Sequence, residues 1–112
     1  MRTVVIDAGH GGDDTGAAGA TGVLEKDITL QVAQRLQRAI ETRLGLRVVM
    51  TRGEDRTIRL DERAAIANNN KADLFISLHA NASLSPVPSG AEVSYLSLDE
   101  GDIERSGARL SG

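Results

Sequence analysis

Short apolar runs recur along the chain and predict the strands of a sheet. They lie at residues 3–6, 46–51, 74–78 and 91–96, each bounded by polar or glycine-rich sequence. Helical sequence separates the first three runs, and such connections favour right-handed crossovers between parallel strands. The stretch between the third and fourth runs contains two prolines and is too short for a crossover helix. The fourth strand is therefore expected to be antiparallel to the third.

Two stretches have the periodicity of amphipathic helices. In residues 28–44 the apolar side chains recur at the helical spacing, and polar side chains occupy the opposite arc. Asp27 suits the N-cap of this helix, and Gly45 suits the left-handed residue that ends it. A second helix is predicted over residues 60–69, and its acidic first turn complements the helix dipole.

The order of these elements predicts an α/β fold, with an open, mostly parallel sheet and helices packed on it. Residues 99–112 have no completed pattern, although Ile103 and Leu110 could begin a third helix. The length of 112 residues suits a single domain.

Composition excludes several classes of function. A net charge of −3 and an aromatic content of 2% argue against a nucleic-acid partner. No apolar stretch is long enough to span a membrane, and the start of the sequence reaches an acidic residue too soon for a secretory signal peptide to be expected. Because the chain has no cysteine, disulfides and thiolate zinc sites are excluded, and a metal would need His, Asp or Glu ligands.

A glycine-rich segment over residues 9–22 follows the first strand and is predicted to be an irregular loop. A strand, a glycine loop and a helix in this order are also typical of nucleotide sites. Here, however, an acidic residue stands where the last glycine of that motif belongs, and Asp13, Asp14 and Glu25 would repel phosphate. Nucleotide binding is therefore disfavoured.

The two histidines of the chain, His10 and His79, each follow a predicted parallel strand. The carboxyl ends of parallel strands meet at one edge of an open sheet, where ligands bind in such folds. Two imidazoles at that edge suggest a zinc site completed by a nearby carboxylate, for which Glu25 and Asp27 are candidates. The alternative is that the histidines are independent loop residues.

At these positions the sequence resembles the zinc-dependent N-acetylmuramoyl-L-alanine amidases that cleave bacterial peptidoglycan. The similarity extends from residue 3 to about residue 98, and the matching blocks occur in order: VIDAGHGG at 5–12, LEKD at 24–27, VMTR at 49–52, LDER at 60–63, AN at 67–68, ISLHAN at 76–81 and GAEV at 90–93. By position, the resemblance implies that His10, Glu25 and His79 are the zinc ligands. It also implies hydrolysis of the amide between N-acetylmuramic acid and L-alanine of the stem peptide.

The chain departs from the family at the general base. The family's catalytic glutamate follows further helical sequence that this chain does not contain, so Glu92 is the one substitute candidate. A surface or supporting role for Glu92 is the alternative.

Asn81 is a candidate substrate-binding residue, or an ordinary turn residue. Arg63 falls on the packing face of the second helix. It therefore needs a carboxylate partner, or its guanidinium must extend past the edge of the packed face into solvent. Asp7 is expected to brace the loop.

The resemblance implies one amidase-like catalytic domain over residues 1–112, truncated after the fourth strand and incomplete at the C-terminus. It implies that the protein acts on peptidoglycan, either in the periplasm or outside the cell at the cell wall. The candidate protein partners are an activator protein and a second copy of the chain, which would bind through an uncovered sheet face. The alternative is a catalytically inactive module that binds zinc or associates with the wall.

Overall fold

The chain folds around a mixed sheet in the computed structural model, which describes residues 1–19, 21–80, 91–97 and 108–111. The elements in chain order are β1 (Thr3–Ala8), α1 (Glu25–Leu44), β2 (Arg47–Met50), α2 (Leu60–Asn69), β3 (Leu74–Ala80), β4 (Ala91–Ser97) and β5 (Ala108–Ser111). The strand order is β2-β1-β3-β4-β5. This arrangement confirms the predicted open α/β sheet.

The pairing directions follow the lengths of the connections. β1 is parallel to both β2 and β3, and the chain passes through a helix from β1 to β2 and again from β2 to β3. β4 runs antiparallel to β3, as the short connection between them predicts. In this register Val5 lies beside Phe75, and His79 lies opposite Glu92.

The end of the described chain differs from the prediction. Ala108–Ser111 form a strand antiparallel to β4, with Leu110 opposite Val93, and not the start of a third helix. An unpaired β4 would present a row of free backbone hydrogen-bonding groups, and β5 satisfies them. The sheet therefore continues beyond the fourth strand, while Ile103 lies outside the described residues.

The start of α1 also differs from the prediction. The helix begins at Glu25, with Leu24 in the cap position, so Asp27 is inside the first turn and not the N-cap. The reason is that the loop supplies the capping acceptors: the Glu25 amide donates to the Ala17 carbonyl at 2.8 Å and the Lys26 amide to the Thr15 carbonyl at 3.1 Å. At the other end, Gly45 has φ 65° and ends the helix as predicted.

The two helices lie on opposite faces of the sheet and bury different side chains. On the α1 face a cluster of aliphatic residues forms the larger core, with Val4, Ile6, Ala8, Ala33, Ile40 and Leu78. On the α2 face the cluster is smaller and contains Val5, Ala67 and Ala72. Among the described residues, no helix is both long and apolar enough to cross a bilayer.

Candidate metal centre

Three side chains of the kinds that bind metals meet at the carboxyl edge of the parallel strands. His10 follows β1, His79 lies near the end of β3 and Glu25 is the first residue of α1. Glu25 Oε2 lies 2.8 Å from His10 Nε2 and 3.6 Å from His79 Nδ1. The two ring nitrogens are 3.4 Å apart. The structure thus brings together the three residues that the sequence singled out.

Further contacts aim the ring of His10 and the carboxylate of Glu25 at this centre. The second nitrogen of His10, Nδ1, lies 2.9 Å from Asp14 Oδ2. The second oxygen of Glu25, Oε1, accepts a hydrogen bond from the Ala17 amide at 3.0 Å. His10 Nε2 and Glu25 Oε2 are therefore the atoms that face the centre. The hydrogen bond with His10 lowers the pKa of Asp14, which keeps that carboxylate charged.

The centre is buried on one side and open on the other. The Glu25 side chain is only 5% exposed, whereas that of His79 is 39% exposed. The rings of His10 and His79 meet edge to face, with centroids 5.1 Å apart. A ligand could therefore approach from the His79 side.

Glycines allow the close approach of the segments that carry these side chains. A Cβ atom on Gly9 would lie 2.6 Å from the Leu78 carbonyl oxygen and 2.7 Å from His79 Nδ1. Gly16 has φ +66°, and a Cβ there would lie 2.7 Å from His10 Cδ2 and 2.8 Å from Glu25 Oε1. A side chain at either position would collide with the centre itself.

The irregular loop that carries His10 is held by polar contacts from the segment after β2. Asp55 accepts hydrogen bonds from the Gly12 amide at 2.7 Å and from Lys26 Nζ at 2.9 Å. The Thr57 hydroxyl oxygen accepts one from the Asp13 amide at 3.0 Å. The bond from Lys26 lowers the pKa of Asp55. The loop is thus irregular, as predicted, yet fixed at several points.

Arg63 has the carboxylate partner that its position on α2 requires. Its Nη1 lies 2.6 Å from Asp7 Oδ1, and both side chains are 6% exposed. Asp7 also accepts hydrogen bonds from the hydroxyls of Thr51 and Ser77, each at 2.8 Å. Asp7 therefore connects β1 to β3, to the residue that follows β2 and to α2.

Sequence reasoning missed two residues that support the centre. The sequence predicts for Asp14 only a charge that repels phosphate. Its position four residues after His10 nevertheless permits the contact that it makes. Arg52 is noted in the sequence only as the last residue of the VMTR block of the family resemblance. In the structure it is 2% exposed, and its guanidinium donates to the carbonyls of Ala8 and Gly9. Burial, followed by the nearby charge of Arg63, lowers the pKa of Arg52. A single basic residue after an apolar strand carries no signal of burial.

The remaining candidates are less completely described. Asn81 lies outside the described residues. The backbone of Glu92 lies opposite His79 in the antiparallel register of β3 and β4, while its side chain is outside the described part of the chain. The proposed roles of both residues stay predictions.

A cavity of about 600 Å³ adjoins the centre on the α2 face of the sheet. His10 and His79 lie at one end, and much of the remaining wall is apolar, with Ile58, Leu60, Ala64, Ala67, Phe75 and Leu96. A concave, largely apolar site beside a few convergent polar groups is the usual form of a ligand site. The fold and these side chains define an α/β domain with a candidate metal centre at the carboxyl edge of its sheet.

Comparison with known proteins assigns this domain to a family. The family model described as N-acetylmuramoyl-L-alanine amidase matches residues 4–110, and the chain belongs to this family. The amidase AmiC of Escherichia coli O6:H1 is 48% identical over 94 residues, which cover 84% of this chain and 22% of that protein.

Solved structures agree with this assignment. The catalytic domain of CwlV, an N-acetylmuramoyl-L-alanine amidase from Bacillus (Paenibacillus) polymyxa var. colistinus, is 41% identical with a TM-score of 0.72, covering 80% of this chain and 51% of that one. The CwlD amidase from Clostridioides difficile, solved in complex with the GerS lipoprotein, is 30% identical with a TM-score of 0.67, covering 82% of this chain and 53% of that one. The chain thus spans between about a fifth and a half of the length of these relatives.

Proposed function

We propose that this chain carries the zinc-binding part of the catalytic domain of an N-acetylmuramoyl-L-alanine amidase. The reaction is hydrolysis of the amide between N-acetylmuramic acid and the L-alanine of a peptidoglycan stem peptide. Family membership supports the reaction class. The observation that carries the proposal is the convergence of His10, Glu25 and His79, whose ligand atoms all lie within 4.8 Å of one another.

The donor set fits zinc. Two imidazole nitrogens and one carboxylate are a common ligand set of catalytic zinc sites, and zinc bonds of about 2.0–2.2 Å place neighbouring ligand atoms roughly 3–3.5 Å apart. The two histidine nitrogens are 3.4 Å apart. With neutral imidazoles the site keeps a net positive charge. A bound zinc ion supplies Lewis acidity, which acidifies water and polarises the amide carbonyl.

The residues of the chain prepare this site in separate ways. Asp14 holds the Nδ1 side of the His10 ring, which leaves Nε2 directed at the centre. The Ala17 amide holds one oxygen of Glu25, which leaves the other directed at the centre. The adjoining cavity has room for part of a muropeptide beside His79. In this proposal Glu92 is the general base, and Asn81 contacts substrate.

A second candidate function is a module that binds zinc or the cell wall without catalysis. Among the side chains that the structure describes, the carboxylates lining the cavity are Asp7 and Asp14. Asp7 is held by Arg63 and two hydroxyls, and Asp14 by His10. Neither is placed to act as a general base, which favours this candidate.

Location and partners follow from the same proposal. An enzyme with this substrate works in the periplasm or at the cell wall. The complex of CwlD with a lipoprotein supports a protein partner for this chain as well. Self-association is a separate proposal, tested by the oligomeric state in solution.

Zinc binding tests the site. The purified chain should bind about one equivalent of zinc, and His79→Ala should abolish this because it removes one of three ligands. Asp13→Ala is the matched control, since it removes an exposed carboxylate of the same loop that is not one of the three. Unchanged zinc stoichiometry in His79→Ala would contradict the ligand assignment.

Peptide release from purified peptidoglycan separates the two candidate functions. The amidase proposal expects zinc-dependent release, which Glu92→Gln lowers by about 10²- to 10⁴-fold if Glu92 is the base. Release that the variant leaves unchanged would exclude Glu92 as the base. Zinc binding without any release above the metal-free control would favour the non-catalytic module.

A further inference from the structure

The guanidinium of Arg52 is buried beneath the loop and donates to several backbone carbonyls. Its Nε donates to the Ala8 carbonyl at 3.0 Å, and its Nη1 donates to the Glu54 carbonyl at 3.1 Å. Its Nη2 donates to the Gly9 carbonyl at 3.0 Å and to the Lys26 carbonyl at 2.9 Å. These acceptors are uncharged, and two of them belong to residues that are adjacent in sequence to candidate metal ligands.

The contacts of Nη2 link the two segments that carry His10 and Glu25. Gly9 immediately precedes His10, and Lys26 immediately follows Glu25. One nitrogen therefore joins the carbonyl before one candidate ligand to the carbonyl after the other. The Thr29 hydroxyl strengthens this link, because it lies 3.2 Å from Nη2 and donates to the Gly9 carbonyl at 2.7 Å.

His10 needs such support because its backbone is in an unfavourable conformation. Its φ is +65°, which lies in the left-handed region that residues other than glycine rarely adopt. Strained residues persist only where their surroundings hold them. Here Arg52 binds the carbonyl before His10, and Arg63 Nη2 binds the carbonyl of His10 itself at 2.8 Å.

We propose that Arg52 is a positioning residue for the metal centre, which fixes the separation of His10 and Glu25 before a metal binds. The inference rests on the proposed function, since it takes these two side chains as ligands. A preformed site does not spend binding free energy on ordering the loop. Loss of Arg52 should therefore weaken zinc binding even where the chain stays folded.

The planar fork of arginine suits this role better than a lysine would. Arg52 reaches acceptors on several segments with three nitrogens in fixed directions. A lysine keeps the positive charge but concentrates its donors on one nitrogen. Arg52→Lys therefore separates the effect of the geometry from that of the charge.

Zinc affinity tests the proposal. Metal-free wild type, Arg52→Lys and Arg52→Gln are titrated with zinc in competition with a chromogenic chelator, at a temperature where circular dichroism shows each to be folded. We expect zinc to bind about 10- to 100-fold more weakly in both variants, the range typical of changes that disturb the support of metal ligands. Arg52→Gln should have the larger effect, because it removes the charge and most of the donors.

A matched control distinguishes positioning from stability. Ile40→Val shortens a core residue that belongs to the α1-face cluster, so it should lower the unfolding midpoint and leave zinc affinity unchanged. Folded Arg52 variants that bind zinc within about twofold of wild type would overturn the proposal. So would a failure of both variants to fold, since the role would then be structural only. Absence of zinc binding in the wild type would overturn the proposed function itself and is recognised separately.

Discussion

The two faces of the sheet are built in different ways. On the α1 face Val4 and Ile6 are at most 1% exposed and pack in one aliphatic cluster with Ala33 of the helix. On the α2 face, Asp7 of the same strand pairs with Arg63 of the helix, and the cavity lies beside them. One face is closed by apolar contacts, whereas the other is organised by a buried ion pair.

The difference shows how one small domain separates stability from chemistry. Apolar packing is non-directional, and on the α1 face it stabilises the contact between the helix and the sheet. The buried polar network costs desolvation free energy, yet each of its hydrogen bonds points in a fixed direction. The candidate metal centre lies at the end of the α2 face, where the ligand side chains must be held in fixed orientations.

The largest expected effect comes from breaking the buried pair. Asp7→Ala should lower the free energy of unfolding by about 3–5 kcal/mol, because it leaves the charge of Arg63 buried without its partner. Urea unfolding followed by circular dichroism measures this loss. Asp61→Ala is the matched control, since it removes a carboxylate from an exposed pair with Arg59. That pair should contribute no more than about 1 kcal/mol. Equal losses in the two variants would show that the polar face does not depend on its buried pair.

A matched pair of alanines tests the packing of the two faces. Ala33 is fully buried under α1, and Ala33→Leu should cost about 1–3 kcal/mol because the extra carbon atoms have no space. Ala64 lines the cavity from α2, and Ala64→Leu should change stability by less than about 0.5 kcal/mol. Thermal or urea unfolding of both variants gives the comparison. A larger loss at Ala64 than at Ala33 would reverse the view of which face is closed.

The sequence predicts the α1 side of the fold well because apolar packing leaves a periodic pattern. The helix of residues 28–44 and the strands around it follow from that pattern, and the observed helix ends at Leu44 with Gly45 after it. The true start at Glu25 is not predicted because its capping acceptors are backbone carbonyls of the preceding irregular loop, whose fold the sequence pattern does not reveal. β5 was missed because its pairing with β4 is a tertiary contact that four residues do not encode locally.

The candidate site is predicted in its ligands but not in its support. Two histidines after parallel strands indicate the edge at which they meet, and the family resemblance selects Glu25 over Asp27. The sequence also shows that Arg63 needs a partner, because a charge on an apolar helix face is anomalous. Nothing in the sequence predicts that Arg52 is buried or that the backbone of His10 is left-handed. Both follow from how the loop is folded back onto the sheet.

A pair of glycines extends the comparison from the faces to the edge that carries the site. Gly16 and Gly45 have nearly equal φ angles, +66° and +65°, but a Cβ on Gly45 meets nothing within 4 Å. Alanine at either position should therefore cost about 1–2 kcal/mol of stability for its left-handed backbone. Only Gly16→Ala should also weaken zinc binding, by about tenfold or more, because its methyl group displaces His10 and Glu25. Zinc titration and urea unfolding of both variants check this expectation. If Gly45→Ala weakened zinc binding as much as Gly16→Ala, the loss of zinc affinity would come from lower stability. Close approach of Gly16 to His10 and Glu25 would then not be required for zinc binding.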